Sequence, residues 1–327
     1  MSDPTLFVAG LLTTGPLVAP PPPALLLGWQ QVITTLWAVT QPEAAPADPE
    51  PAPEFSPHPP ERPRERLIEP LDVSLAEPVS LGRAPRSGAQ LYQQRRAALA
   101  AGRLYTHLPG DSFAAAWEAA TQPPTHEQWQ QLLRHEAQAI AQGQGDNRLT
   151  VLLGDSLSQW FPSQGLPRGS FWLNQGISGE NSHQVRQRLR ALQSTRPSTI
   201  YLMVGINDLR QGAEDATILA NLRAIAQELR QQHPEAVIVL QSLLPTRWPS
   251  LGRERLEPLN QGIRQVAQAE GLVYLHLYPL FTDTDGQLRP DLTTDGLHLS
   301  PQGYQVWQAA LQAAEQQLYP ASVIARR

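Results

Sequence analysis

From Asn147 to about Leu318, short apolar runs alternate with stretches of helical spacing. The apolar runs are Leu149 to Leu153, Phe171 to Leu173, Thr199 to Val204, Ala236 to Gln241 and Leu272 to Leu277. Between them, Ser182 to Gln193, Ala213 to Gln232 and Arg253 to Glu270 carry helical patterns, and Gln302 to Leu318 closes the series. Short continuous apolar runs suit parallel strands covered on both faces. Right-handed crossovers then put helices on both sides of the sheet. The expected fold is α/β, a flavodoxin-like three-layer αβα sandwich with about five parallel strands. Ligand sites in such sheets lie beyond the carboxyl ends of the strands.

Upstream the pattern changes. Ala84 to Gln144 reads as helical. Thr125 followed by Gln128 resembles a capping box, and Trp129, Leu132, Leu133 and Ala137 fall on one helical face. Gly143 and Gly145 stop that helix. Pro42 to Glu69 is dense in proline, which blocks helix and central strand alike, and reads as an extended spacer. Before it, no charged residue occurs between Asp3 and Glu43. The implied organisation is an apolar arm at 1–40, a Pro-rich linker at 41–75, a helical extension or cap at 76–146 and the α/β domain at 147–327. The arm is a candidate membrane anchor or a hydrophobic segment packed on protein. Its start, MSDP, lacks the positive charge of a signal peptide.

Charge and cysteine content narrow the functions. The chain has 25 Lys and Arg against 30 Asp and Glu, a net charge of −5, with no basic stripe. Nucleic-acid binding, which relies on dense positive charge, is disfavoured. With no Cys, disulfides, thiol catalysis and thiolate metal sites are excluded within this chain. No cofactor and no metal are expected. Localisation stays open between cytoplasm, membrane surface and export.

The candidate chemistry clusters at strand ends. The first run leads into Gly154-Asp155-Ser156-Leu157-Ser158, which sets Ser156 in the crevice where a helix begins. Ser156 and Ser158 equally suit helix N-caps. The second run leads into Asn174-Gln175-Gly176-Ile177-Ser178-Gly179-Glu180, a turn in which a Gly N–H can approach a ligand. The third leads into Gly205-Ile206-Asn207-Asp208, where Asn207 offers an amide donor or forms a turn with Asp208. Asp295-Gly296-Leu297-His298 precedes Ser300-Pro301, a strong helix start. A carboxylate three residues before an imidazole can hold its tautomer while the other ring nitrogen deprotonates a serine.

Taken together, these four blocks resemble those of the SGNH, or GDSL-type, hydrolases, in order and spacing across Thr150 to Leu318. The look is closest to the compact branch of lysophospholipase L1-like esterases and platelet-activating-factor acetylhydrolase catalytic subunits. The resemblance implies a serine esterase with Ser156 as nucleophile, His298 as base and Asp295 orienting it. It implies an oxyanion hole made from the Ser156 N–H, the Gly179 N–H and the Asn207 side chain. In that branch Asp-Thr often follows the oxyanion glycine. Here Glu180 and Asn181 stand there, and the longer Glu180 is expected to hold the turn less tightly.

The expected substrate is a small-molecule, lipid or glycan ester. Trp160, Trp172 and Trp248 are candidate pocket walls that can line an acyl site or stack on sugar rings. The latter would suit a carbohydrate O-acetyl esterase. A binding protein that has lost turnover is the third reading. His183 is a candidate pocket-rim residue. His233, at a helix end, suits a cation there. His276 reads as a packed strand residue, and these histidines make no metal set. Asp283 to Gly286 opens like a calcium loop but lacks the later ligands, so a turn is expected.

Overall fold

A computed structural model describes residues 66–68 and 83–320. The chain divides at His58 and Pro59, and every described residue belongs to the second unit. The candidate membrane arm therefore lies outside the described residues. Among those described, no helix is long and apolar enough to cross a membrane.

Six strands form one parallel sheet: β1 (Arg66–Ile68), β2 (Leu149–Gly154), β3 (Phe171–Gly176), β4 (Thr199–Met203), β5 (Val237–Gln241) and β6 (Val273–Leu275). Their order is β1-β6-β5-β4-β2-β3. Strands β2, β4 and β6 are wholly buried, as helices on both faces require. The chain leaves β2 towards β3, then crosses back past β2 to β4. The switch point is therefore at β2, where crevices open in sheets of this kind.

Five strands answer to the apolar runs. The sixth, β1, lies within the proline-rich stretch read as a linker, and it pairs with β6 from Arg66↔Val273 to Ile68↔Leu275. That stretch is thus not wholly a spacer. The tripeptide between prolines suffices because an edge strand needs a partner on only one side.

The helices are α1 (Gly88–Ala100), α2 (Ala114–Trp117), α3 (His126–Gly143), α4 (Ser156–Gln159), α5 (Ser182–Gln187), α6 (Ile206–Arg210), α7 (Asp215–Gln232), α8 (Arg253–Ala269), α9 (Tyr278–Phe281) and α10 (Pro301–Leu318). The capping box at α3 forms. Thr125 Oγ1 accepts from the Gln128 N–H and the Gln128 side chain accepts from the Thr125 N–H. Trp129, Leu132, Leu133, Ala137 and Ile140 make its buried face, and each large apolar side chain there contributes about 1.5–3 kcal/mol.

The helical extension packs directly on the sheet. Gln175 of β3 donates to the Leu133 carbonyl at 3.1 Å, and Thr106 donates to the Trp172 carbonyl at 2.6 Å. Arg95 of α1, fully buried, pairs with Glu136 of α3 and donates to the Asn174 carbonyl at 2.8 Å. A lone buried charge would be costly, and the pair with its extra hydrogen bond offsets that.

Candidate active site

Two glycines, one ending β2 and one ending β3, let the backbone around Ser156 pack closely. A Cβ at Gly154 would collide with the Met203 carbonyl oxygen and Ser158 Oγ. One at Gly176 would strike the backbone of Gln159 and, at 2.8 Å, the Asp155 carbonyl oxygen. Asp155, rather than a serine, caps α4: its side chain accepts from the Leu157 N–H at 3.0 Å. Ser156 is therefore the first residue of the helix, where its N–H has no intrahelical acceptor. Burial pushes the Asp155 carboxyl up to about 7, against the lowering effect of that backbone hydrogen bond.

Ser156 is 8 % exposed, and its Oγ lies 3.2 Å from His298 Nε2. His298 Nδ1 lies 2.7 Å from Asp295 Oδ2. An ionised carboxylate only accepts, so Nδ1 carries a proton, which leaves Nε2 as the ring atom that can accept from the serine hydroxyl. The other Asp295 oxygen accepts from the N–H groups of Leu297 and His298 at 3.0 and 2.7 Å. Burial pushes the Asp295 carboxyl up, but the hydrogen bonds from His298 and the two backbone groups outweigh it and hold it below its ordinary value. The loop is closed by Thr293, which accepts from the Gly296 N–H and donates to the His298 carbonyl. Ser300 caps α10 just beyond.

Gly179 follows β3 with φ +83°, a region that favours glycine. Its N–H has no acceptor among the described residues. Asn207 lies in the first turn of α6, 3 % exposed. Its Nδ2 donates to the Glu180 carbonyl at 3.0 Å, and its Oδ1 accepts from Arg210 at 3.0 Å. Asp208 accepts from the Ser182 N–H and hydroxyl at 2.8 and 2.5 Å, tying α5 to α6. Asn207 and Asp208 thus belong to a helix start rather than a reverse turn. Ser156, Gly179 and Asn207 follow the carboxyl ends of β2, β3 and β4, and His298 meets Ser156 from the loop before α10.

A family model described as GDSL-like lipase/acylhydrolase matches residues 108–306, more than half of the chain. The chain belongs to this family. It is an ester hydrolase of the GDSL type. Human platelet-activating factor acetylhydrolase IB subunit alpha1 is 32% identical over 162 residues, 47% of this chain and 69% of that protein. The alpha2 subunit of Rattus norvegicus is 28% identical over 162 residues, covering 47% of this chain and 70% of its own. A solved structure from Streptococcus pneumonia, given provisionally as a platelet activating factor, aligns with TM-score 0.51 at 27% identity, covering 59% of this chain and 92% of that one.

The candidate pocket residues separate. Trp248 is half-buried beside the histidine loop: its Nε1 donates to the Asp295 carbonyl at 3.3 Å, and Arg210 stacks on its ring at 4.8 Å. Trp160 is half-buried at the end of α4, between the main core and a small cluster around Trp129 and Ile177. Trp172 does not line a pocket. It is 1 % exposed, stacked on Tyr201 under the sheet, with its Nε1 donating to the Pro167 carbonyl. Both faces of β3 are covered, so neither opens to a cleft at this position. His183 is exposed on α5 and bonded to Gln187. His233 is 5 % exposed, and burial lowers its pKa, so it is a neutral packed residue rather than a cation on a helix end.

Two residues of the site escaped the sequence reading, His126 and Arg188, both partners of Glu180. Glu180 is 1 % exposed; its carboxylate meets Arg188 Nε at 2.6 Å and His126 Nε2 at 2.8 Å. Arg188 also donates to the carbonyls of Gly154 and Gln175 at 3.1 and 2.7 Å. The longer glutamate is therefore held by an arginine and a histidine, and the turn is not loosely pinned. Arg186, Arg188 and Arg190 alternate along one stretch, and spacing alone does not say which turns inward.

Proposed function

We propose that the chain hydrolyses a short-acyl carboxylic ester through an acyl-enzyme on Ser156. The supporting observation is the continuous hydrogen-bonded path from Ser156 Oγ through the His298 ring to Asp295. His298 Nε2 takes the hydroxyl proton as Oγ attacks the ester carbonyl carbon. The negative charge that develops on the carbonyl oxygen meets the N–H groups of Ser156 and Gly179 and the Asn207 amide. The tetrahedral species collapses, His298 returns its proton to the leaving alcohol, and the acyl group stays on Oγ. Water then repeats the sequence, with its proton passing through His298, and releases the carboxylic acid. Short acyl groups are favoured by the acetylhydrolase relatives.

The test is labelling with a fluorophosphonate probe, followed by peptide mapping and a rate series on p-nitrophenyl esters of increasing acyl length. The expected result is one label, on Ser156, and highest kcat/KM for the acetyl ester. Labelling elsewhere refutes the nucleophile, and a maximum at long acyl chains refutes the substrate class. A preference for acetylated sugars over simple acetyl esters would instead favour a carbohydrate O-acetyl esterase.

A further inference from the structure

Arg188, whose side chain is 7 % exposed, spends its Nε on Glu180 and its Nη2 on two strand-end carbonyls. Its Nη1 has no acceptor among the described residues. Arg188 lines a groove of about 780 Å³ between α3 and the chain that follows α5. Arg134 from α3 and Arg190 line the same groove. Both are exposed, and neither has a carboxylate partner among the described residues. No Asp or Glu lines the groove, while Gln130, Gln138 and Gln187 do. Among the described residues Arg188 meets one carboxylate, Glu180, which is already shared with His126.

We propose that this groove is a second binding site, for a small polyhydroxylated anion. The three guanidinium groups supply charge-assisted donors for a phosphate or carboxylate. The glutamine amides, which both donate and accept, suit hydroxyl groups. The volume lies in the range of small-molecule sites. Glu180 compensates Arg188, but Arg134 and Arg190 add two positive charges to the groove that no carboxylate among the described residues balances. Phosphate and carboxylate sources share this chemistry, and a direct titration separates them.

The experiment is calorimetric titration of the full chain with glucose 6-phosphate, glucuronate and glucose, on the parent and on an R134Q/R190Q variant. Hydrolysis of p-nitrophenyl acetate and the melting temperature of the variant should match the parent, since both residues are exposed. One equivalent of glucose 6-phosphate or glucuronate should bind, the tighter of the two identifying the anion. Glucose should bind at least about tenfold more weakly, and the variant should lose at least about tenfold in affinity for the anion. Failure of both anions to bind better than glucose would overturn the proposal. So would a folded, active variant that binds them as the parent does.

Discussion

The side-chain amide of Asn207 donates to the main-chain carbonyl of Glu180 at 3.0 Å. Arg210 holds the other end of the same amide, donating to its oxygen. The orientation of the amide is thereby set: nitrogen towards the oxyanion turn, oxygen towards Arg210. One N–H of Nδ2 is used on Glu180, and the second has no acceptor among the described residues.

Replacing Asn207 with Ala should lower kcat by roughly 10²–10³, the usual loss for one oxyanion donor, with KM little changed. The lost bond to Glu180 should also cost about 1 kcal/mol of stability. Steady-state kinetics and a thermal melt read both effects. A folded variant with parental kcat would remove Asn207 from the oxyanion hole.

Replacing Ser156 with Ala should abolish ester hydrolysis while leaving the melting curve within about 1 kcal/mol of the parent. Asp155 caps α4, so the hydroxyl carries no capping role, and its one side-chain bond is to His298. Residual turnover above a few per cent in a clean preparation would assign the nucleophile elsewhere.

Asp155 makes stability depend on pH. Its carboxyl keeps its proton up to about pH 7 in the folded chain, against an ordinary value of 3.8. Between these values the folded state binds more protons than the unfolded state, so this group's contribution falls as pH rises. The loss amounts to at most about 4 kcal/mol by the top of the window. Asn at this position keeps the cap and has no proton to lose. Denaturant melts across the window should show the Asp155→Asn variant without this part of the slope. Parallel slopes would mean that Asp155 titrates normally.

Removing the Glu180 carboxylate should be costly. Ala at 180 leaves the Arg188 guanidinium buried without its carboxylate, a loss of about 3–5 kcal/mol. Gln at 180 retains an acceptor and should be milder. Equal stability of Glu180→Ala and the parent, measured by denaturant unfolding, would show that Arg188 finds another partner.

Strand β1 sets where the chain can be shortened. A chain starting at Pro59 retains Arg66–Ile68 and should fold and hydrolyse ester. One starting at Leu71 uncovers the β6 edge at Val273–Leu275 and should melt lower and aggregate more readily. Light scattering and a thermal melt compare the two. Identical behaviour would make β1 dispensable.

Much of the site was legible in the sequence because its determinants are local. Apolar runs mark strands, and Gly154, Gly179 and Gly296 mark turns that a side chain would strain or block. The three-residue spacing of Asp295 and His298 already places carboxylate and imidazole within reach. The capping box at Thr125 and Gln128 is equally short-range. Tertiary structure alone decided the rest. Glu180 meets His126 across 54 residues, and Arg95 meets Glu136 across 41. Whether such charges pair, and whether Trp172 faces a cleft or the core, depends on which distant surfaces come together. The same holds for β1, whose tripeptide is too short to declare itself and becomes a strand only because β6 offers an open edge. Periodicity and turn chemistry are properties of neighbouring residues, whereas burial of a charge is a property of the packed fold.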